Sequence, residues 1–391
     1  MQKVQLAFPL RQPESFDWQR DPGFNAHVHK RLLAAHGRVV QSTPANDHRP
    51  RTERDLLRLC AAAMSQRQEM LLYYLLAQCV RARDLTLSAH FCKALEWCGR
   101  AERIAGALQD YGAQVDLHEL RGTLHRTISI LWIAAEEFSY ALRLMREHAA
   151  DMESFDPEFE VTVAAKAAGL EYMLGEFPRA LGHLQRAATL LPLTATSVTG
   201  LGTIAWIFAL LHRQRNDPVE ALWHAEVAAE LYRQVGRINS TCRVLTLAGE
   251  IAMDAAEMAD AAERGARERY LTLAARYVEE AFGVGEDALD LPGLELTRLS
   301  LARLDRLHGG ADAASAEARI RATLRQARRM RDDALLTVAQ TELGADLVAR
   351  GQVSRGKSWL KKAIVTAARM NAPGVAFRAQ RLLRRAHGRN A

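Results

Sequence analysis

The stretch EYMLGEFPRALGHLQRAATLLP, residues Glu171–Pro192, decides how this chain folds. A turn signal at Gly175–Phe177 separates two apolar segments. After the turn, Ala180, Leu184 and Ala187 recur at i, i+4 and i+7, which places them on one face of a helix. Small side chains on that face let a neighbouring helix approach closely. The stretch therefore predicts a hairpin of two packed helices.

The same pattern recurs along the chain at a nearly constant step. Aligned on the close-packing residue of the first helix, the units fall at Ala89, Ser129, Ala168, Ala209, Gly249 and Gly344. The steps are 40, 39, 41 and 40 residues, followed by 95, which leaves room for a degenerate unit around Gly309–Gly310. In the unit that begins at Ser129, the turn is expected at Glu137–Phe138. A fixed period of this size predicts an array of six to seven stacked hairpins.

Two segments carry a family resemblance, the opening stretch and TELGADLVARGQVSRGKSWLKKA near the carboxyl end. They resemble tetratricopeptide (TPR) repeats, and the resemblance extends over about residues 85–370. The ~40-residue step is longer than the usual 34 residues, and such long units are similar to the helical sensor domains of bacterial regulators. The resemblance implies an all-α fold, a right-handed α-solenoid of stacked antiparallel helix hairpins.

Composition divides the chain into three parts. Residues 1–50 contain five prolines and no sustained periodicity beyond a short helix, so we expect an irregular amino-terminal arm or cap. Residues 51–370 form the TPR-like array, and residues 371–391 form a basic capping helix, which solenoids need over their last apolar face. An alternative is that residues 1–50 fill the groove of the array.

Sequence signatures of catalysis and metal binding are absent or lack the structural context they need. The letters of G-x-x-x-x-G-K-[ST] occur once, at Gly351–Ser358, but within the TPR-like hairpin near the carboxyl end and not between a strand and a helix. There is no G-x-G-x-x-G between a strand and a helix, no H-E-x-x-H and no G-x-S-x-G. The densest histidine group, His27, His29 and His36, does not have the spacing of a helix-face metal pair. We therefore predict no enzyme activity, no cofactor and no metal; a subunit that assists a catalytic partner is a weaker possibility.

Cysteine usage and hydropathy indicate a reducing, aqueous compartment. The five cysteines are an odd number without a C-x-x-C pair, which favours reduced thiols. The amino terminus lacks an apolar run of signal-peptide length, and no later segment approaches 18 uninterrupted apolar residues. We expect a cytoplasmic protein without a membrane partner.

Candidate binding residues follow from the resemblance, because the first helix of each TPR hairpin lines the concave groove. In this sequence, the groove-facing positions are Tyr172, Met173, Trp206, Arg213, Gln214, Glu250 and Asp254. Aromatic and Met side chains beside charged groups are suited to hold a peptide. Packing between helices is the alternative role of the apolar members, and solvation that of the charged ones.

The carboxyl end is strongly basic. Residues 351–391 carry ten Lys and Arg and no Asp or Glu, whereas the remaining 350 residues have a net charge of about −4. The candidate basic patch comprises Lys357, Lys361, Lys362, Arg378, Arg381, Arg384 and Arg385. Such a patch can neutralise phosphates, but no nucleic-acid motif and few aromatic residues accompany it. Docking on an acidic protein surface, or solubility alone, is the simpler interpretation.

The sequence therefore predicts a non-catalytic, cytoplasmic scaffold. It would act as a regulatory, signal-sensing module that captures a protein or peptide segment in its concave groove. The alternative is a nucleic-acid-associated transcriptional regulator that uses the basic carboxyl-terminal helix.

Overall fold

The protein is helical throughout the part of the chain that the structure describes. The structure is a computed structural model and describes residues 10–18, 21–42, 48–81, 88–128, 130–148, 157–191, 198–259, 264–286, 291–308 and 313–388. Those residues form α-helices and short 3-10 turns, with no β-strand among them. Backbone contacts group the chain into two compact units, Met1–Ala167 and Ala168–Ala391. The boundaries predicted at residues 50 and 370 stay a prediction.

The first unit pairs its helices in sequence order. The first two helices pack on the first hairpin, and a second hairpin follows it. Its helices are α1 (Ala26–Gln41), α2 (Arg49–Leu57), α3 (Gln66–Arg81), α4 (Ser88–Ala107), α5 (Tyr111–Thr127) and α6 (Leu131–Glu147). Leu10, Trp18 and Leu32 are buried in its core, so the described part of the first 50 residues is packed structure.

The second unit consists of helix hairpins and ends in an extra helix. Helix α7 (Pro157–Leu174) spans the boundary, and the hairpins that follow are α9–α10, α11–α12, α13–α14 and α15–α16. The bounds are α8 (Phe177–Leu190), α9 (Val198–Gln214), α10 (Pro218–Gln234), α11 (Ile238–Met258), α12 (Arg264–Glu286), α13 (Leu291–Leu307), α14 (Ala313–Met330), α15 (Asp333–Ala349), α16 (Val353–Arg369) and α17 (Phe377–Gly388). A 3-10 turn at Pro373–Ala376 joins α16 to α17.

The hairpin predicted from the opening stretch is confirmed. Helix α7 ends at Leu174, Gly175 adopts a φ of +83°, and α8 begins at Phe177. The helix face predicted to pack, which includes Ala180 and Leu184, is fully buried. The all-α fold of stacked helix hairpins, of the TPR-like type, follows from repeating this unit.

One turn geometry closes helices repeatedly along the chain. A residue with positive φ follows the helix, and the next amide donates to the carbonyl five residues back, as in a Schellman motif. Examples are the amides of Asp110, Glu176, Asp217, Arg237, Asp332, Gln352 and Ala372, each 2.8–3.0 Å from its acceptor. The residue before each amide has the positive φ: Gln109, Gly175, Asn216, Gly236, Arg331, Gly351 and Asn371. This local geometry is what a Gly or Asn just after a helix predicts.

The register predicted upstream of Ala168 is wrong. Ala89 lies exposed near the start of α4, the second helix of its hairpin. The turn expected at Glu137–Phe138 lies inside α6, and both residues are buried. The close-packing residue of that hairpin is Gly122, because a Cβ there would lie 2.8 Å from a ring carbon of Phe138. Ser129, Pro192 and the Gly309–Gly310 turn lie outside the described residues.

None of the described helices has the length and apolar character needed to cross a membrane.

Glycines let α15 and α16 approach closely. A Cβ on Gly344 would lie 2.8 Å from Leu360 Cγ, and one on Gly356 would lie 2.7 Å from the Gly344 carbonyl oxygen. Neither distance is tolerated by a real Cβ unless the helices separate. Gly356 occupies the position where the opening stretch has Ala180, and it therefore has a packing role.

We predict that Gly356→Ala lowers the free energy of unfolding by about 1–3 kcal/mol, because the added methyl overpacks the contact with Gly344. The matched control is Gly182→Ala in α8, where a Cβ meets no atom within 4 Å. There, the higher helix propensity of Ala should raise stability by about 0.5–1 kcal/mol. Urea denaturation followed by circular dichroism measures both, and equal effects at the two positions would contradict the packing role.

Candidate functional site

The second unit contains a cavity of about 190 Å³. Its walls come from the carboxyl end of α7 and from the first helices of four hairpins, and the segment from Pro373 to α17 closes one side. The lining residues are Tyr172, Arg213, Gln214, Glu250, Asp254, Leu299, Ser300, Arg303, Val338, Thr341, Glu342, Gly374, Val375, Phe377, Arg378 and Arg381. We call this the groove cavity.

Five of the seven predicted groove residues line this cavity: Tyr172, Arg213, Gln214, Glu250 and Asp254. The other two do not. The ring of Trp206 packs edge-on against Tyr232, 6.3 Å away, at the margin of the core. Met173 contributes its main chain, which lies against Gly374. Trp206 thus has the packing role that the sequence left open.

A stripe of three carboxylates on α11 organises the site. Glu250, Asp254 and Glu257 are at i, i+4 and i+7 and therefore lie on one helix face. Asp254 is the buried member, with its side chain 6% exposed. Four guanidinium groups contact its carboxylate, from Arg213 (2.8 Å), Arg303 (2.6 Å), Arg378 (3.0 Å) and Arg381 (3.0 Å).

Three of these guanidinium groups, and that of Arg306, also contact the other carboxylates. Arg213 also donates to Glu250 at 2.6 Å, and Arg303 and Arg306 contact Glu257 at 3.2 and 3.4 Å. Arg378 reaches three carboxylates, with distances of 3.0 Å to Asp254, 3.0 Å to Glu257 and 2.9 Å to Glu342. We call the whole set the charged cluster: Arg213, Glu250, Asp254, Glu257, Arg303, Arg306, Glu342, Arg378 and Arg381.

The pKa values in the cluster reflect a balance of burial and charge. Burial raises the pKa of Asp254, but the four guanidinium groups outweigh it and hold that pKa well below its usual range. Glu257 and Glu342 have lowered pKa values for the same reason. Burial lowers the pKa of Arg306 and Arg381, against the opposing effect of the carboxylates. Asp254, Glu257 and Glu342 are therefore suited to remain ionised.

Three polar atoms at the cluster lack a partner among the described residues. They are Gln214 Oε1, Arg306 Nη1 and Arg381 Nε, each with almost no exposed surface. Gln214 and Arg381 line the groove cavity. Buried polar atoms are normally hydrogen-bonded, so an acceptor and a donor left over at one cavity indicate room for a polar ligand.

The basic residues of the carboxyl end are separated by the structure. Arg378 and Arg381 point into the charged cluster, with side chains only 13% exposed. Lys361, Lys362, Arg384 and Arg385 are exposed, and Lys357 is half-buried. Lys362 lies over the Trp359 ring at 4.4 Å. Because its two central arginines are engaged by carboxylates, the candidate basic patch does not form one surface for phosphates.

Sequence reasoning missed four members of the charged cluster: Glu257, Arg303, Arg306 and Glu342. Glu257 continues the spacing of Glu250 and Asp254 by one more turn. Arg303 and Arg306 stand at i, i+3 on α13, the helix of the unit that the repeat pattern marked as degenerate. A charge on the inward face of an otherwise apolar first helix is the signal that identifies them.

Within the described ranges, no three His, Cys, Asp or Glu residues are placed to hold a metal ion. His29 packs against Trp18, with ring centroids 4.7 Å apart, and His36 Nε2 lies 3.1 Å from the Arg11 carbonyl oxygen. The candidate histidines of the amino-terminal segment are therefore held in the first unit's structure.

Comparison with known proteins shows the fold. No protein-family model matches the chain, and no curated protein sequence matches it. Among solved structures, the apo quorum sensor NprR from B. thuringiensis is similar with a TM-score of 0.61 and 12% identity, covering 87% of each chain. A Rap protein complexed with Competence and Sporulation Factor has a TM-score of 0.56 and 13% identity over 93% of this chain and 98% of that one.

A third similar structure is the Rap conjugation gene regulator of the plasmid pLS20, solved in complex with a Phr peptide. Its TM-score is 0.50 at 12% identity, and the match covers 92% of this chain and 96% of that chain. At these identities the three likenesses establish a shared helical-repeat fold.

The lowered pKa values predict acid sensitivity of the second unit. The pKa of Glu257 lies below its ordinary value of 4.5, so the unfolded chain binds more protons as the pH falls past that value. The stability that Glu257 contributes is therefore complete above about pH 5 and is lost as the pH falls further. We expect the free energy of unfolding to decrease from pH 5 to pH 3, and to decrease less in Glu257→Gln. Urea titrations at several pH values measure this, and parallel pH profiles for the two chains would contradict it.

Proposed function

We propose that this chain is a non-catalytic, peptide-binding regulatory protein whose ligand occupies the groove cavity of the second unit. A cytoplasmic location is part of the proposal. The observation that carries it is the convergence of Tyr172, Gln214 and ionised carboxylates from successive first helices on one cavity. The aromatic ring offers a buried anchor, and the charged and amide groups offer polar contacts to a peptide.

The similar solved structures support this assignment. One is described as a quorum sensor, and another was solved with a bound peptide. A regulator needs a binding site that is coupled to the rest of the fold. The charged cluster supplies such coupling within the second unit, because its ion pairs join α9, α11, α13, α15 and α17. A ligand that changes these pairs changes how the hairpins are held together.

The residues that line the site do not suit a catalytic role. The cavity contains no histidine or cysteine among its lining residues, and its carboxylates are paired with arginines. A carboxylate that is held ionised by several guanidinium groups is a weak proton acceptor. The site is suited to hold a ligand by charge and shape.

Tyr172 is the residue expected to anchor a bound peptide at the cavity wall. Linear peptides selected from a random phage-displayed library on the immobilised full chain should bind the free wild-type chain in solution. Tyr172→Ala should weaken that binding by about tenfold or more, because it removes the aromatic anchor at the cavity wall. Fluorescence anisotropy with labelled synthetic copies of the selected peptides measures the dissociation constants.

Trp223→Ala is the matched control, since Trp223 is a 55% exposed aromatic residue of the same unit that does not line the cavity. Its affinity for the same peptides should equal that of the wild type. Selection of no peptide, or an equal loss in both variants, would contradict a peptide site at the groove cavity.

A further inference from the structure

The carboxyl-terminal segment, residues 372–388, closes one side of the groove cavity. Gly374, Phe377, Arg378 and Arg381 belong to the cavity wall. This segment is not part of any hairpin: the α16 helix is followed by a 3-10 turn and then by α17. A piece of chain outside the hairpins thus covers carboxylates that a ligand would contact.

The charges in the cluster show that this segment supplies cations to an acidic site. The hairpin helices contribute four carboxylates and three guanidinium groups to the charged cluster. Residues Arg378 and Arg381 add two more guanidinium groups. Without α17 the cluster carries one more negative than positive charge, and with α17 this balance is reversed.

The two arginines are not held equally well. Arg378 makes ion pairs with three carboxylates. Arg381 pairs with Asp254 alone and donates to the Asn216 side chain at 3.2 Å, while its Nε is left without a partner in the described structure. The cluster therefore has carboxylates enough for one added cation and receives two.

The end of helix α16 is formed without residues 373–388. Helix α16 is closed by its own Schellman turn, in which Ala372 N donates to Ala367 O at 3.0 Å and Asn371 has a φ of +50°. Helix α17 has only 12 residues, and its buried apolar contact with α16 is through Ala379, Leu360 and Ala363. An isolated helix of that length is marginal in water, so α17 is stable mainly while it is docked.

A close contact seats the segment on α7. A Cβ at Gly374 would collide with the carbonyl oxygens of Tyr172 and Met173, which are main-chain atoms and cannot rotate away. The φ of Gly374 lies outside the left-handed region, so the absence of a side chain serves this approach alone. Tyr172 is also the aromatic residue of the cavity wall.

We propose that residues 372–388 act as an internal ligand that covers the carboxylates on one side of the groove cavity and must be displaced by an external peptide carrying an arginine or lysine in the place of Arg378. This inference rests on the proposed function, because it specifies how that site is regulated and which chemistry its ligand presents. Displacement releases the surplus cation Arg381 to water and leaves the carboxylates that the segment had covered to the ligand.

The test adds the segment to the protein as a separate peptide. A fluorescently labelled synthetic peptide of residues 372–388 is titrated with the full-length wild-type chain and with full-length Gly374→Val, whose added side chain collides with α7. Displacing the resident segment increases the fraction of open sites, so the variant should bind the peptide about tenfold more tightly than the wild type. Gly182→Val, at an exposed helical site with no atom within 4 Å of a Cβ, should bind like the wild type.

Two altered peptides separate recognition from general charge attraction. The peptide with Arg378→Gln and Arg381→Gln should bind Gly374→Val at least about tenfold more weakly than the unaltered peptide, because it loses the ion pairs of the cluster. The peptide with Arg384→Gln and Arg385→Gln has the same net charge and should keep its affinity, since those residues are exposed. Equal losses for both peptides, or no binding of any peptide to a folded Gly374→Val chain, would overturn the inference.

A second measurement applies to the wild-type chain and does not depend on how Gly374→Val folds. Hydrogen exchange of residues 377–388 is followed by mass spectrometry while an isotope-labelled 372–388 peptide is added in excess. The resident segment should exchange faster as the peptide replaces it, and unchanged exchange at saturating peptide would refute displacement. Library peptides that bind through Tyr172 while the 372–388 peptide does not would preserve the proposed function and remove only the internal ligand.

Discussion

The burial of Asp254 is the constraint on which the second unit depends. An ionised carboxylate with a side chain only 6% exposed is strongly unfavourable unless cations surround it, and four arginines from three different helices do so. Removing one partner from such a cluster leaves an uncompensated charge, which typically costs about 3–5 kcal/mol. The hairpins are thus held in one arrangement by charge as well as by apolar packing.

The apolar contacts and the charged cluster have different roles in the same stack. Gly344, Gly356 and the small residues of α8 set how closely two helices approach within a hairpin or between hairpins. The charged cluster then links helices that are far apart in sequence, as in the contact of Arg378 on α17 with Asp254 on α11 across 124 residues. Close packing makes the repeated pairing of helices possible, whereas the charged cluster holds the hairpins of the second unit in one arrangement.

The fold was predictable from the sequence where the repeat signals are local. Gly175, Asn216 and Gly351 mark turns that need a positive φ, and Ala180, Leu184 and Ala187 mark a packed face. Upstream of Ala168 the register failed, because Ala89 and the Glu137–Phe138 pair imitate the pattern within second helices. The pairing of Gly122 with Phe138 depends on which helices meet, and a local pattern does not contain that information.

The candidate site was predictable in part, for a similar reason. Arg213, Glu250 and Asp254 were accessible to sequence reasoning because first helices of TPR hairpins line the groove. The placement of Arg378 and Arg381 was not, since a run of arginines at a chain end has the composition of an exposed basic tail. Only the fold shows that these two side chains turn inward to the carboxylates, while Arg384 and Arg385 remain exposed.

The central claim is that Arg378 is bound by the carboxylates of the cluster, and a double-mutant cycle tests it most directly. The free energy of unfolding of the second unit is measured for the wild type, Arg378→Gln, Glu257→Gln and the double variant. If the two side chains are paired, the single losses are non-additive, with a coupling of about 1 kcal/mol or more. The exposed pair Arg233 and Glu230 gives the reference value, near zero to about 0.5 kcal/mol. Additive losses for Arg378 and Glu257 would contradict the claim that the carboxyl-terminal segment is docked in the charged cluster.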